Sequence, residues 1–84
     1  MPTDIHKLLL AEISALAIES IGQEIKLKYD NKILEDGTLD SPSVIKLVLF
    51  IEKKYKITIE QDELDIDNFG SINQIVKFIT NKKG

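Results

Sequence analysis

The residue whose chemistry stands out is Ser41, set between Asp40 and Pro42 just ahead of the apolar run Val44-Ile45-Lys46-Leu47-Val48-Leu49-Phe50-Ile51. A serine hydroxyl can attack a substrate, cap a helix or accept a covalently attached group, and the three roles need different surroundings. Attack needs a base within reach, yet no Gly-x-Ser-x-Gly elbow surrounds Ser41 and the single histidine, His6, lies far away in sequence. Capping needs only position. A residue before proline is pushed out of helical backbone space, its oxygen can accept from an amide of the first turn, and proline suits the first helical position. Ser41 therefore reads as an N-cap with Pro42 opening the helix.

Other candidate chemistry is weaker. The acidic segment Asp62, Glu63, Asp65, Asp67 matches an EF-hand loop at Asp65, Asp67 and Gly70, but Phe69 replaces a ligand and Val76 stands where the bidentate glutamate belongs. The expectation is a solvated loop between helices and no metal site. No cleft is indicated around paired carboxylates for acid and base work. His6 has no cysteine or second histidine beside it and is read as a solvent-exposed structural residue. The absence of cysteine leaves no disulfide framework, thiolate metal site or cysteine nucleophile.

The elements that must position Ser41 follow from periodicity. With 84 residues the chain is expected to be one domain, 1–84, burying only about 60–65% of its unfolded surface. Hydrophobic residues at 43% and charged ones at 30% fit a soluble globular protein, and a net charge of -3 offers no basic field for a nucleic acid. No segment is long and apolar enough to span a bilayer and no secretory pattern opens the chain, so a cytoplasmic protein without a membrane partner is expected. Thr3 caps a first helix that keeps its rhythm through Ile5, Leu9 and Leu16 to about Ile21, before Gly22.

From Gly22 to Leu39 the rhythm breaks. The alternation Glu24-Ile25-Lys26-Leu27-Lys28-Tyr29 could be a strand by period, but no partner strand exists elsewhere, so an ordered loop is expected with Ile25, Leu27, Ile33 and Leu34 dipping into the core. Asp36-Gly37 marks a turn just before the serine. In the second helix Val44, Leu47, Val48, Ile51 and Tyr55 form one core stripe, leaving Ile45, Leu49 and Phe50 outside it as a surface for another molecule. Thr58-Ile59-Glu60-Gln61 has the spacing of a capping box for a short third helix to about Leu64. Ser71-Ile72-Asn73-Gln74 repeats that spacing before a last helix with Ile72, Ile75, Val76 and Ile79 inward and Phe78 nearby.

The stretch Gly37-Thr38-Leu39-Asp40-Ser41, followed by Val44, Leu47-Val48, Glu52, Tyr55 and Ile57, resembles the acyl and peptidyl carrier protein family over nearly the whole chain. The resemblance implies an all-α four-helix bundle, three longer helices plus a short third helix, with a long loop between helices 1 and 2. It implies that Ser41 carries a 4'-phosphopantetheine arm whose thiol holds an acyl or aminoacyl group. It implies that Asp40 helps a phosphopantetheinyl transferase recognise the serine and position its metal-bound coenzyme A. A phosphodiester on Ser41 would then sit at a helix N-terminus, where amides and dipole favour an anion.

The implied role is transport, by a stand-alone monomer without enzymatic activity, between acyl- or aminoacyl-loading and condensing enzymes of a fatty-acid, polyketide, peptide or D-alanyl pathway. Pro42, Ile45, Lys46 and Leu49 are the expected partner contacts. Pro42 stands where the family usually has Leu, Ile or Met, and Lys46, Lys53 and Lys54 outnumber Glu52 on a helix that is usually acidic in fatty-acid carriers. The alternative is a non-catalytic interaction domain of the same fold in which Ser41 is only a cap.

Overall fold

A computed structural model describes residues 3–22 and 26–83. Its elements are α1 (Asp4–Ile21), α2 (Ser41–Tyr55), a single 3-10 turn (Gln61–Glu63), α3 (Ile66–Phe69) and α4 (Ile72–Lys83). The protein is all-helical, with three longer helices and one short one, and no strand occurs among the described residues.

Each long helix exists because it brings one apolar stripe to a shared core. Leu9, Ile13, Leu16 and Ala17 of α1, Leu47 and Ile51 of α2, and Ile72, Ile75, Val76, Phe78 and Ile79 of α4 are buried. Val44, Val48 and Tyr55 complete the α2 stripe as half-buried residues. Phe50 also packs against the core, so the surplus expected outside the stripe shrinks to Ile45 and Leu49. α1 packs on both α2 and α4, and α3 packs on α4, with Phe69 and Phe78 ring centres 5.2 Å apart.

The start of α1 is tied down by local polar groups. His6 N–H donates to Thr3 Oγ1 and Thr3 N–H donates to His6 Nδ1 at 3.0 Å, a capping box with an imidazole in place of the usual carboxylate or amide. Because Nδ1 accepts there, the neutral ring carries its proton on Nε2, which faces Asn73 Oδ1 at 3.1 Å. His6 also meets the Tyr29 ring edge-on. It is therefore structural as expected but half-buried rather than solvent-exposed. At the other end Gly22 takes the left-handed conformation, φ 85°, that closes a helix and suits glycine.

The segment from Lys26 to Asp40 is a loop laid over the core. Leu27 and Tyr29 are half-buried while Lys26 and Lys28 are exposed, so the alternation records a chain with one wet side. Instead of a partner strand, the corner between α3 and α4 anchors it: Ile33 N–H donates to Gly70 O and Asn73 N–H donates to Tyr29 O, both at 2.9 Å. Ile33 is fully buried and Leu34 packs against the core; the fourth expected core contact, Ile25, lies outside the described residues.

The third helix falls elsewhere than Thr58-Ile59-Glu60-Gln61 predicts. Ile59 is buried and its N–H donates to Glu52 Oε2 at 2.8 Å, which pins the segment to α2 in a non-helical path. The capping box shifts to Glu60 and Glu63 around the 3-10 turn, and α3 starts later, capped by Asp65 accepting from Asn68 N–H at 2.9 Å. Ser71 caps α4 by accepting from Gln74 N–H, but the Gln74 amide donates to Asp67 O rather than reaching back. Lys82 closes this end by pairing with Glu63 at 3.0 Å.

α2 ends at Lys56, a non-glycine residue held at φ 56°, ψ 47°. That conformation costs an L-residue about 1–2 kcal/mol. Lys56→Gly should therefore raise stability by up to about 1 kcal/mol once the extra unfolded-state freedom of glycine is subtracted. The expected observation is a higher urea midpoint at unchanged slope; a lower midpoint would mean that contacts of the Lys56 stem outweigh the strain.

Candidate functional site

The approach to Ser41 is shaped by its own sequence. Gly37 takes φ 78°, and Asp36 Oδ1 accepts from both the amide and the hydroxyl of Thr38, so the turn closes on itself. Leu39 then drops into the core, its N–H donating to Ile33 O. Asp40 follows in extended backbone, φ -89°, ψ 176°, and is the N-cap of α2: its Oδ1 accepts from Ser43 N–H at 2.9 Å.

This overturns Ser41 as the cap. Ser41 is the first helical residue and Pro42 the second, one position later than the Ser-Pro pattern predicts. The preceding Asp40 offers a charged acceptor already aimed at the third helical amide, and charge-assisted hydrogen bonds are the stronger ones. Ser41 is exposed, and its hydroxyl makes no hydrogen bond among the described residues. Of the first-turn amides, Pro42 supplies none and Ser43 is taken by Asp40. An anion on Ser41 Oγ would therefore be favoured by the helix dipole and by the Ser41 amide rather than by several free N–H groups.

The last turn of α1 reaches this site, a contact that sequence reasoning missed. Ser20 Oγ donates to Asp40 Oδ2 at 2.7 Å, and Glu19 Oε1 pairs with Lys46 Nζ at 2.8 Å. Local spacing carries no signal for bonds across 20 and 27 residues of chain. The Ser20 hydroxyl, and after it Ser43, lowers the Asp40 carboxyl from its ordinary 3.8 to about 2. Glu19 raises the Lys46 ammonium above its usual range.

A depressed carboxyl binds fewer protons in the folded chain than in the unfolded one, so stability should rise with pH between about 2 and 3.8 and Asp40 should add no slope above that. Glu63 acts in the same direction through the Glu60 amide and Lys82. Asp40→Asn keeps a capping oxygen and should flatten the Asp40 part of an acid denaturation profile; an unchanged profile would show that the carboxylate is not held as described.

The four expected partner contacts share one surface. Ile45 is 59% and Leu49 60% exposed, on the same row of α2 as Ser41, one and two turns on. Pro42 and Lys46 are exposed beside them, Lys46 already paired to Glu19. The acidic segment is engaged in helix geometry, with the Asp65 carboxylate capping α3, and no cluster of metal-ligating side chains occurs among the described residues.

No protein-family model matches the chain. Individual relatives do. A D-alanyl carrier protein of Bacillus velezensis is 36% identical over 59 residues, 70% of this chain and 76% of that protein. One from Bacillus licheniformis is 35% identical over 65 residues, 77% of this chain and 83% of that protein. The chain belongs to the carrier protein family. An acyl carrier protein of Campylobacter jejuni, 29% identical over 73 residues, spans more of this carrier, 86%, and 92% of its own length. In this carrier α2 bears Lys46, Lys53 and Lys54 against a single Glu52, whose carboxylate is turned to the Ile59 amide. No helix among the described residues is long and apolar enough to cross a membrane.

Proposed function

We propose that this chain, residues 1–84 acting as one monomeric domain, holds acyl or aminoacyl intermediates as thioesters on a 4'-phosphopantetheine arm joined to Ser41 Oγ. The observation that carries the reading is the exposed, unengaged hydroxyl of Ser41 at the first position of α2, directly after a carboxylate cap, in a member of the carrier family. The arm supplies the thiol that a chain without cysteine lacks. The chain's own residues hold and present it: the α2 dipole favours the phosphodiester, Asp40 fixes the helix start and is the feature a phosphopantetheinyl transferase reads, and the chain performs no catalysis itself. The two Bacillus relatives named D-alanyl carrier protein stand at 36% and 35% identity and the Campylobacter acyl carrier protein at 29%, so an aminoacyl cargo is the first to test. Intact mass after incubation with coenzyme A and a broad-specificity transferase in the cytoplasmic pH range should show one added arm. A chain that stays unmodified with every transferase tried would favour the non-catalytic interaction domain, with Ser41 an unmodified surface residue.

Loading and condensing enzymes then dock on Pro42, Ile45, Lys46 and Leu49. Apolar burial of Leu49 should outweigh the lysines, because exposed charge is screened over about 8–10 Å. Leu49→Ala should weaken binding to a loading enzyme by about 1–3 kcal/mol if the side chain is fully covered, with added salt doing less. Affinity that collapses with salt and ignores Leu49 would assign docking to the charges instead.

A further inference from the structure

The contacts between the last turn of α1 and the first turns of α2 sort four polar side chains into two pairs. Ser20 holds Asp40, and Glu19 holds Lys46. The alternative sorting is close at hand, since Lys46 feels the Asp40 charge directly as well as that of Glu19. Without the Ser20 bond nothing on α1 would hold Oδ2, and the carboxylate could rotate as a unit toward Lys46, whose charge already interacts with it. An Asp40 neutralised by Lys46 would present a transferase with an internal ion pair in place of an anion, and would draw the lysine across the front of Ser41.

We propose that Ser20 is a positioning residue for the modification of Ser41: its hydroxyl holds Asp40 Oδ2 against α1, so that the carboxylate stays in the capping orientation, unpaired with Lys46, beside an open Ser41 hydroxyl. The proposal rests on the reading of Ser41 as the attachment site. Ser20 touches neither the serine nor the incoming group; it acts through Asp40. The depressed Asp40 carboxyl, with Ser20 its largest cause, is what such a bond produces. Of the charged groups nearby, Lys46 is itself raised in part by the Asp40 charge, and Glu19 is engaged with that lysine.

The test is the initial rate of arm transfer from coenzyme A by a broad-specificity phosphopantetheinyl transferase, measured against carrier concentration for wild type, Ser20→Ala and Ser20→Thr. A carboxyl carbon NMR titration of Asp40 accompanies it. Ser20→Ala should raise the KM for the carrier about two- to ten-fold, the factor equivalent to one net hydrogen bond, with kcat little changed, and the Asp40 titration should move up from about 2 toward 3.8. Ser20→Thr keeps the hydroxyl and should restore both. An unchanged KM, with or without a shifted titration, overturns the positioning role while leaving Ser41 as the attachment site. Failure of the wild type to accept any arm overturns the attachment reading, and the positioning role with it.

Discussion

Ser41→Ala should abolish arm attachment outright while the protein stays folded with almost unchanged stability. The two halves have separate causes. Attachment requires an oxygen at position 41, and no neighbouring group can stand in: Ser43 is buried, with its amide held by Asp40. Stability does not require that oxygen, because the cap of α2 is Asp40 and the Ser41 hydroxyl has no partner among the described residues. Alanine is a good residue for an exposed first turn, so the change in unfolding free energy should fall within about 0.5 kcal/mol. Asp40→Ala should show the opposite balance, losing about 0.5–2 kcal/mol with the cap. Intact mass of the coenzyme A reaction and urea denaturation of the same samples provide both readings. An arm found on Ser43, or on the alanine variant, would refute the site; a large loss of stability in Ser41→Ala would refute the assignment of the cap.

Ile51→Ala should destabilise the protein by about 2–5 kcal/mol, whereas Leu49→Ala, two residues away on the same helix, should change stability by no more than about 0.5 kcal/mol. Ile51 is fully buried and Leu49 is 60% exposed, so truncating the first removes apolar burial and leaves a cavity in the shared core. The second only trims a surface side chain. Small domains have about 5–15 kcal/mol in total, so Ile51→Ala should shift the midpoint visibly and populate unfolded chain in mild urea. Together with the docking experiment, the pair separates the two faces of α2: Leu49 should matter for binding and not for folding, Ile51 the reverse. Melts in which Leu49→Ala is the more damaging change would require the helix to be rotated about its axis.

The elements that rest on local spacing were legible from the residues alone. Thr3 and Gly22 bound α1, the stripe Val44, Leu47, Val48, Ile51, Tyr55 orients α2, and Ile72, Ile75, Val76, Ile79 orient α4, because capping and helical periodicity are properties of neighbours within a turn or two. The loop before Asp40 was legible by elimination, an alternating segment with no strand to pair with. What failed did so where two local signals competed and a distant contact decided. Thr58 and Glu60 both offer caps, and burial of Ile59 with its bond to Glu52 left only a 3-10 turn after Glu60, with α3 starting later at the Asp65 cap. Asp40 and Ser41 both offer caps, and the carboxylate won, steadied by Ser20 from another helix. Neighbouring residues were thus enough to give a helical carrier framework and to single out the Asp40-Ser41 pair. Which of the two caps the helix, that Phe50 joins the core while Ile45 and Leu49 stay outside, and that Glu19 and Ser20 lie at the site emerge only from packing, because those outcomes depend on side chains brought together from separate helices.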